Sequence, residues 1–156
     1  MGIALSTAGV TVGYAVETTA GTRPTTGYTV IPDIKEVPEM NPEPEALEST
    51  TLSETEYKTY IEGLKDLGGS LSFTANFTSA LQTAWATLVS AAKTAKEADK
   101  ATWFEIKHPD LEKSVFFSGQ PSGMGLPGMS VNSVLETSLY VVPTGEPIWE
   151  TKSTEA

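Results

Sequence analysis

Gly123-Met-Gly125-Leu-Pro-Gly128 spells the G-x-G-x-x-G pattern of a dinucleotide-binding turn. Phosphate binding needs those glycines at a helix N-terminus, where free amides and the helix dipole meet the pyrophosphate. Here a strand pattern follows them, so they read as a loop between two strands. His108 is the one histidine, and with Glu105 and Asp110 it raises the question of a metal site. Strand alternation sends Glu105 and His108 to opposite faces, and no second histidine supports them. A turn histidine is the better reading. The acids that could pair as general acid and base cluster in a proline-rich stretch, where nothing suggests the burial that tunes a carboxyl group. Neither a G-x-S-x-G elbow nor a second histidine exists for a Ser-His-Asp relay. Asn76-Phe-Thr78 is a glycosylation sequon inside a strand pattern and reads as chance. Met1-Gly-Ile-Ala-Leu-Ser6 fits the loose myristoylation pattern, but nothing basic follows to supply a second membrane signal. By elimination the sequence offers no catalytic, cofactor or metal site.

The elements that would position any function start from Ser70 to Ala92. Leu71, Phe73, Ala75 and Phe77 alternate with Ser72, Thr74, Asn76 and Thr78, the period of a strand with one apolar face. The period then changes. Leu81, Ala84, Trp85, Leu88, Val89 and Ala92 form one helical stripe, which predicts a helix over about 79–96 with this stripe in the core. Ser79-Ala-Leu-Gln82 reads as its capping box, and Lys93, Lys96 and Lys100 gather at the end where the dipole favours cations. Around it lie strand patterns at Gly9–Val16, Tyr28–Val37, Thr102–His108 and Lys113–Gly119. Pro32 interrupts the second and suits an edge or a bend. Phe104 and Ile106 share one face of the third, Trp103, Glu105 and Lys107 the other, and the fourth pairs back on it as a hairpin. Gly119–Met129 is a Gly/Pro loop, and Ser130–Val142 is the longest strand pattern, with apolar residues on both faces. From Pro143 to Ala156 the chain reads as a polar tail with Trp149 as its one anchor. The fold class is therefore α+β, mostly β: two antiparallel sheets packed as a sandwich or partly closed barrel, flanked by one helix, in a single domain over 1–156.

Glu36 to Asp66 stands apart. It holds nine acids, two lysines and Pro38, Pro42 and Pro44. A flexible acidic surface loop is the plain reading. A structureless loop that long inside a domain is unusual and generally functional, so the sharper reading is a long arm, partly a hairpin, that orders against a neighbouring subunit. Its candidate contact residues are Glu39, Met40, Glu43, Glu45, Leu47, Glu48, Leu52, Glu54, Glu56 and Tyr57. The whole chain has 20 acidic and 10 basic residues, a net charge of -10, which argues against tightly held nucleic acid. It has no cysteine, hence no disulfide framework, and no apolar run long enough for a membrane helix. At 39% the hydrophobic content is on the low side, as if partners finish part of the surface.

The order of these parts resembles the major tail tube protein of long-tailed, non-contractile bacteriophages. The resemblance runs from about Ala8 to Pro147. It is carried by the N-terminal strand, the acidic arm ending in Asp66-Leu-Gly-Gly69, the strand Ser70–Phe77 and the Ala-rich helix around Trp85. The strands Trp103–Lys107, Val115–Gly119 and Val131–Val142 complete it, closed by Pro143-Thr-Gly-Glu-Pro147. The resemblance implies subunits of two sheets and one helix, six to a ring, with rings stacked into a tube through which DNA leaves the head. It implies a virion protein assembled in the bacterial host cytoplasm, whose partners are itself and the terminator, tape measure and distal tail proteins. DNA would pass without specific binding, and no membrane is involved. The alternatives are a head–tail connector or tail terminator, which forms rings that do not stack, and a monomeric β-sandwich adhesin or carbohydrate-binding module. The last would need an aromatic platform, which Trp103 and Trp149 could supply.

Overall fold

The computed structural model describes residues 4–41, 44–65 and 69–154. The elements are β1 (Thr11–Val16), β2 (Thr29–Val30), β3 (Ile34–Glu36), β4 (Pro44–Glu48), β5 (Tyr60–Lys65), β6 (Leu71–Asn76), α1 (Ser79–Glu97), β7 (Thr102–Lys107), β8 (Lys113–Pro121), β9 (Glu136–Pro143) and β10 (Ile148–Thr151). The main sheet runs β2-β1-β7-β8-β9-β6-β3, with β10 added on β8, and all its strand pairs are antiparallel. Strands β4 and β5 form a separate two-stranded sheet.

This order dictates the shape. Strands β2 and β3 lie at the two ends of the path, yet only residues 31–33 separate them. Seven flat strands at ~4.8 Å spacing would put those ends roughly 29 Å apart. The four peptide steps from Val30 to Ile34 reach at most about 15 Å. The sheet must therefore curl, and it does so into a half-barrel, the second of the two forms expected. Pro32 falls where the chain leaves one sheet edge for the other and needs no ladder donor.

The register puts Val12, Tyr14, Phe104, Ile106, Val115, Phe117, Leu139, Val141, Leu71, Phe73 and Ala75 on the inner face. The helix covers this face: Leu81, Trp85 and Leu88 join Phe73, Phe104, Phe117 and Leu139 in one buried cluster. Ala92 and Ala95 are also buried, while Ala84 and Val89 sit half-buried at the stripe's margin. The Trp85 indole donates to the Ser122 carbonyl at 2.8 Å, so the helix also fixes the start of the loop after β8. Gly119 sits where β8 meets β9; a Cβ there would lie 2.6 Å from Val141 Cγ1.

Several local expectations shift. The N-cap is Thr78, one residue earlier than the Ser79 box: its hydroxyl accepts from Leu81 N at 3.1 Å. Three-residue spacing lets either residue cap, and the turn geometry selects Thr78. At the far end Asp99 takes the left-handed conformation (φ 58), Lys100 N bonds Ala95 O and Asp99 N bonds Lys96 O. This is a Schellman stop with aspartate in the glycine place. The long strand begins at Glu136 and not at Ser130, because Asn132 (φ 63) turns the chain left-handed and breaks the alternation. The segment after Pro143 is no free tail: Ile148–Thr151 pairs with Lys113–Phe116 of β8.

The outer face of β7 and β8 is also covered. Phe116 and Glu105 are buried there, with the Arg23 guanidinium 4.2 Å from the Phe116 ring centre and Tyr28 against the same ring. Burial pushes the Tyr28 phenol up to about 12, against the pull of Arg23. Glu17 accepts from Ala101 N (2.8 Å), Trp103 Nε1 (3.0 Å) and Gly21 N (3.2 Å), and Glu105 from the backbone and hydroxyl of Ser153. Two buried carboxylates thus clasp the 17–28 loop and the 152–154 segment onto the sheet.

Candidate interaction surface

The acidic arm is largely a hairpin. Leu47 pairs with Ile61 and Glu48 with Tyr60, with a bulge between Pro44 and Ala46. Leu47 lies over Gly63, where an added Cβ would come 2.9 Å from the Glu45 carbonyl; only glycine lets the two strands close here. Residues 49–59 form a hydrogen-bonded tip. Ser49 N donates to Thr59 O at 2.8 Å and Thr59 N to Thr50 Oγ1 at 2.9 Å. Glu54 Oε1 accepts from the amides of Glu56, Thr55 and Tyr57, and these bonds, Glu56 and Tyr57 foremost, hold its carboxyl below the usual range.

Of the arm residues singled out in the sequence, Glu45, Leu47 and Glu48 sit exposed on β4, and Leu52, Glu54, Glu56 and Tyr57 on the exposed tip. Glu39 is exposed at the arm's root. Met40 is different: it is half-buried and packs against the core cluster, anchoring the arm instead of reaching outward. Glu43 and the step Asp66-Leu67-Gly68 lie outside the described residues, as does the Met1–Ile3 start of the myristoylation pattern. Exposure is the hairpin's defining property. Leu52 is fully exposed, Leu64 is 88% exposed, and Tyr57, Tyr60 and Ile61 are more than half exposed. Isolated two-stranded hairpins are marginal in water, so this one presents apolar side chains that its own fold does not cover.

At the hairpin's base Met40 and Leu64 face Ile106, Val115 and Trp149 across a groove against the half-barrel rim. The register places Trp149 opposite Val115 on the inner face and Trp103 beside Ser118 on the outer one. The two tryptophans therefore cannot form one aromatic platform, which removes the sugar-binding arrangement the sequence allowed. Trp103 is instead tied to Glu17. The Gly123–Gly128 motif lies in the irregular loop between β8 and β9, with no helix following. His108 is a turn residue: its Nδ1 accepts from Asp110 N at 3.0 Å, which puts the proton on Nε2, donated to the Ser6 carbonyl at 2.6 Å.

Sequence reasoning missed one surface. The loop from Ser122 to Leu135 exposes Leu126, Met129, Val131 and Val134. Leu126 and Met129 fall in the Gly119–Met129 loop of the sequence reading, and the Ser130–Val142 strand pattern takes in Val131 and Val134, which the structure leaves outside β9. Their signal was the lack of charge: no residue from Ser114 to Leu135 is ionisable.

No family model and no curated protein matches the sequence. A solved structure does. The chain is similar to one in the cryo-EM structure of the anti-feeding prophage (AFP) baseplate, 6-fold symmetrised, with a TM-score of 0.57 and 11% identity. The match covers 97% of this chain and 98% of that one, so the likeness is of whole fold to whole fold. The protein thus shares its fold with a chain of that baseplate.

Proposed function

We propose that this protein is a structural subunit of a phage tail or tail-like particle, and that its copies form six-membered rings that stack into a tail tube. The observation that carries the reading is the end-to-end fold likeness to a chain of a six-fold baseplate. The β4–β5 hairpin agrees with it, being the apolar surface that a neighbouring subunit would cover. The arm is then the inter-subunit or inter-ring contact, and the other tail proteins are its further partners. A ring that does not stack, at one end of a tail, is the second reading, favoured by the neighbour's being a baseplate chain.

The charge agrees with a conduit for DNA. With a net charge of -10 per copy, a ring presents an average field that repels the polyanion. Bound phosphates would hold DNA at each step through counterion release, whereas a bore without basic stripes leaves it free to slide. The test is electron microscopy of the concentrated protein. Tubes support the stacked reading, closed single rings the second one, and monomers at every concentration overturn both. Gel shift of duplex DNA at low salt is expected to be negative; submicromolar binding at moderate salt would overturn the conduit.

A further inference from the structure

The β8–β9 loop carries exposed apolar side chains of a size that marks contact surfaces: Leu126 is 81% exposed, Val131 89% and Val134 68%. It differs from the hairpin in charge. The loop has no ionisable residue, whereas the chain as a whole is at -10. Leu126 shares a groove with Tyr140 and Glu136 on the outer face of β9, and Glu136 is ion-paired with Lys35, so charge at this margin is balanced. Copies of so acidic a protein repel each other over most approaches, and least where one presents a neutral surface. The hairpin tip carries Glu54 and Glu56 against Lys58, a net charge of -1, and offers Leu52 and Tyr57. It needs a receiving surface that is apolar and carries no acid. Nucleic acid, which needs cations, has nothing to hold in this loop.

We infer that the 122–135 loop of one copy receives the β4–β5 hairpin tip of a second copy. The inference rests on the self-assembly reading and names its contact. Tip and loop are different surfaces, and no residue lines both the groove at the hairpin base and the groove under the loop. Where the exchange is not reciprocated between the same two copies, the contact is heterologous and propagates from copy to copy, as the self-assembly reading requires.

The chain has no cysteine, so introduced thiols report one pair only. A Leu52→Cys copy mixed with a Leu126→Cys copy is expected to give the mixed disulfide at assembling concentration and not in dilute monomer. The triple variant Leu126→Ser, Val131→Ser, Val134→Ser is expected to unfold at the wild-type midpoint and to need a roughly hundredfold higher concentration to assemble. Wild-type and triple variant assembling at equal concentration would overturn the loop contact and leave self-assembly standing. Disulfides only between two Leu126→Cys copies would also overturn it, since the contact would then be loop to loop. A wild-type protein that never assembles overturns the parent reading and this inference with it.

Discussion

Glu17 and Glu54 each accept three hydrogen bonds, and each carboxyl is held below its usual range. One is buried between the 17–28 loop and β7; the other stands on the hairpin tip in full solvent. For Glu17, burial pushes the carboxyl up, and its bonds to Ala101, Trp103 and Gly21 outweigh that push. For Glu54, water competes for every bond. The same local chemistry therefore closes a fold in one place and shapes a turn in the other. The same contrast separates the two regions: the half-barrel closes a buried apolar cluster under the helix, and the hairpin leaves its apolar side chains in water.

The largest expected effect lies on the buried side. Trp85→Ala removes an aromatic from the inner-face cluster and its bond to Ser122, and should cost about 3–5 kcal/mol in chemical denaturation. A loss below about 1 kcal/mol would mean that the helix is not the lid of this sheet. Next comes the clasp. Glu17→Ala leaves the half-buried donors of Ala101 and Trp103, and the exposed Gly21 amide, without their acceptor and should cost roughly 1–3 kcal/mol at neutral pH. Its pH dependence has a fixed sign. The folded carboxyl lies below the unfolded one, so its contribution is present above the unfolded value and fades as pH falls through the folded one. Thermal unfolding from neutral to acid pH should therefore show the gap between wild type and Glu17→Gln narrowing in the acid range. A gap that stays constant or widens would remove the clasp.

The hairpin should answer in the opposite way. Leu52→Ser with Tyr57→Ser is expected to leave the unfolding midpoint where it is and to weaken assembly in sedimentation of concentrated protein. A destabilised monomer would show that the tip folds back on its own chain. The smallest effect belongs to Glu54→Gln: no measurable change in melting, with faster amide exchange at Glu56 and Tyr57. If melting falls as it does for Glu17, the comparison between buried and exposed carboxylates fails.

Much of this was written in the order of residues. Alternation at Leu71–Ala75 and the stripe through Leu81, Trp85 and Leu88 depend on periods that follow from backbone geometry, and they located β6, α1 and the core. Acid and proline density marked the arm, since so polar a segment cannot build a core. Pro32 marked a break in an extended segment. Tertiary structure decided the rest. That the pieces on either side of Pro32 join opposite ends of one sheet, and so curl it, depends on pairings between residues far apart, which no local period encodes. Ile148–Thr151 became a strand only because the edge of β8 was free to take it. The 130–135 stretch alternates well enough for a strand, yet no partner strand among the described residues meets it, and a left-handed Asn132 turns it into a loop. Register alone put Trp103 and Trp149 on opposite faces, because a strand's two sides differ by one residue and only its partner decides which side is inside.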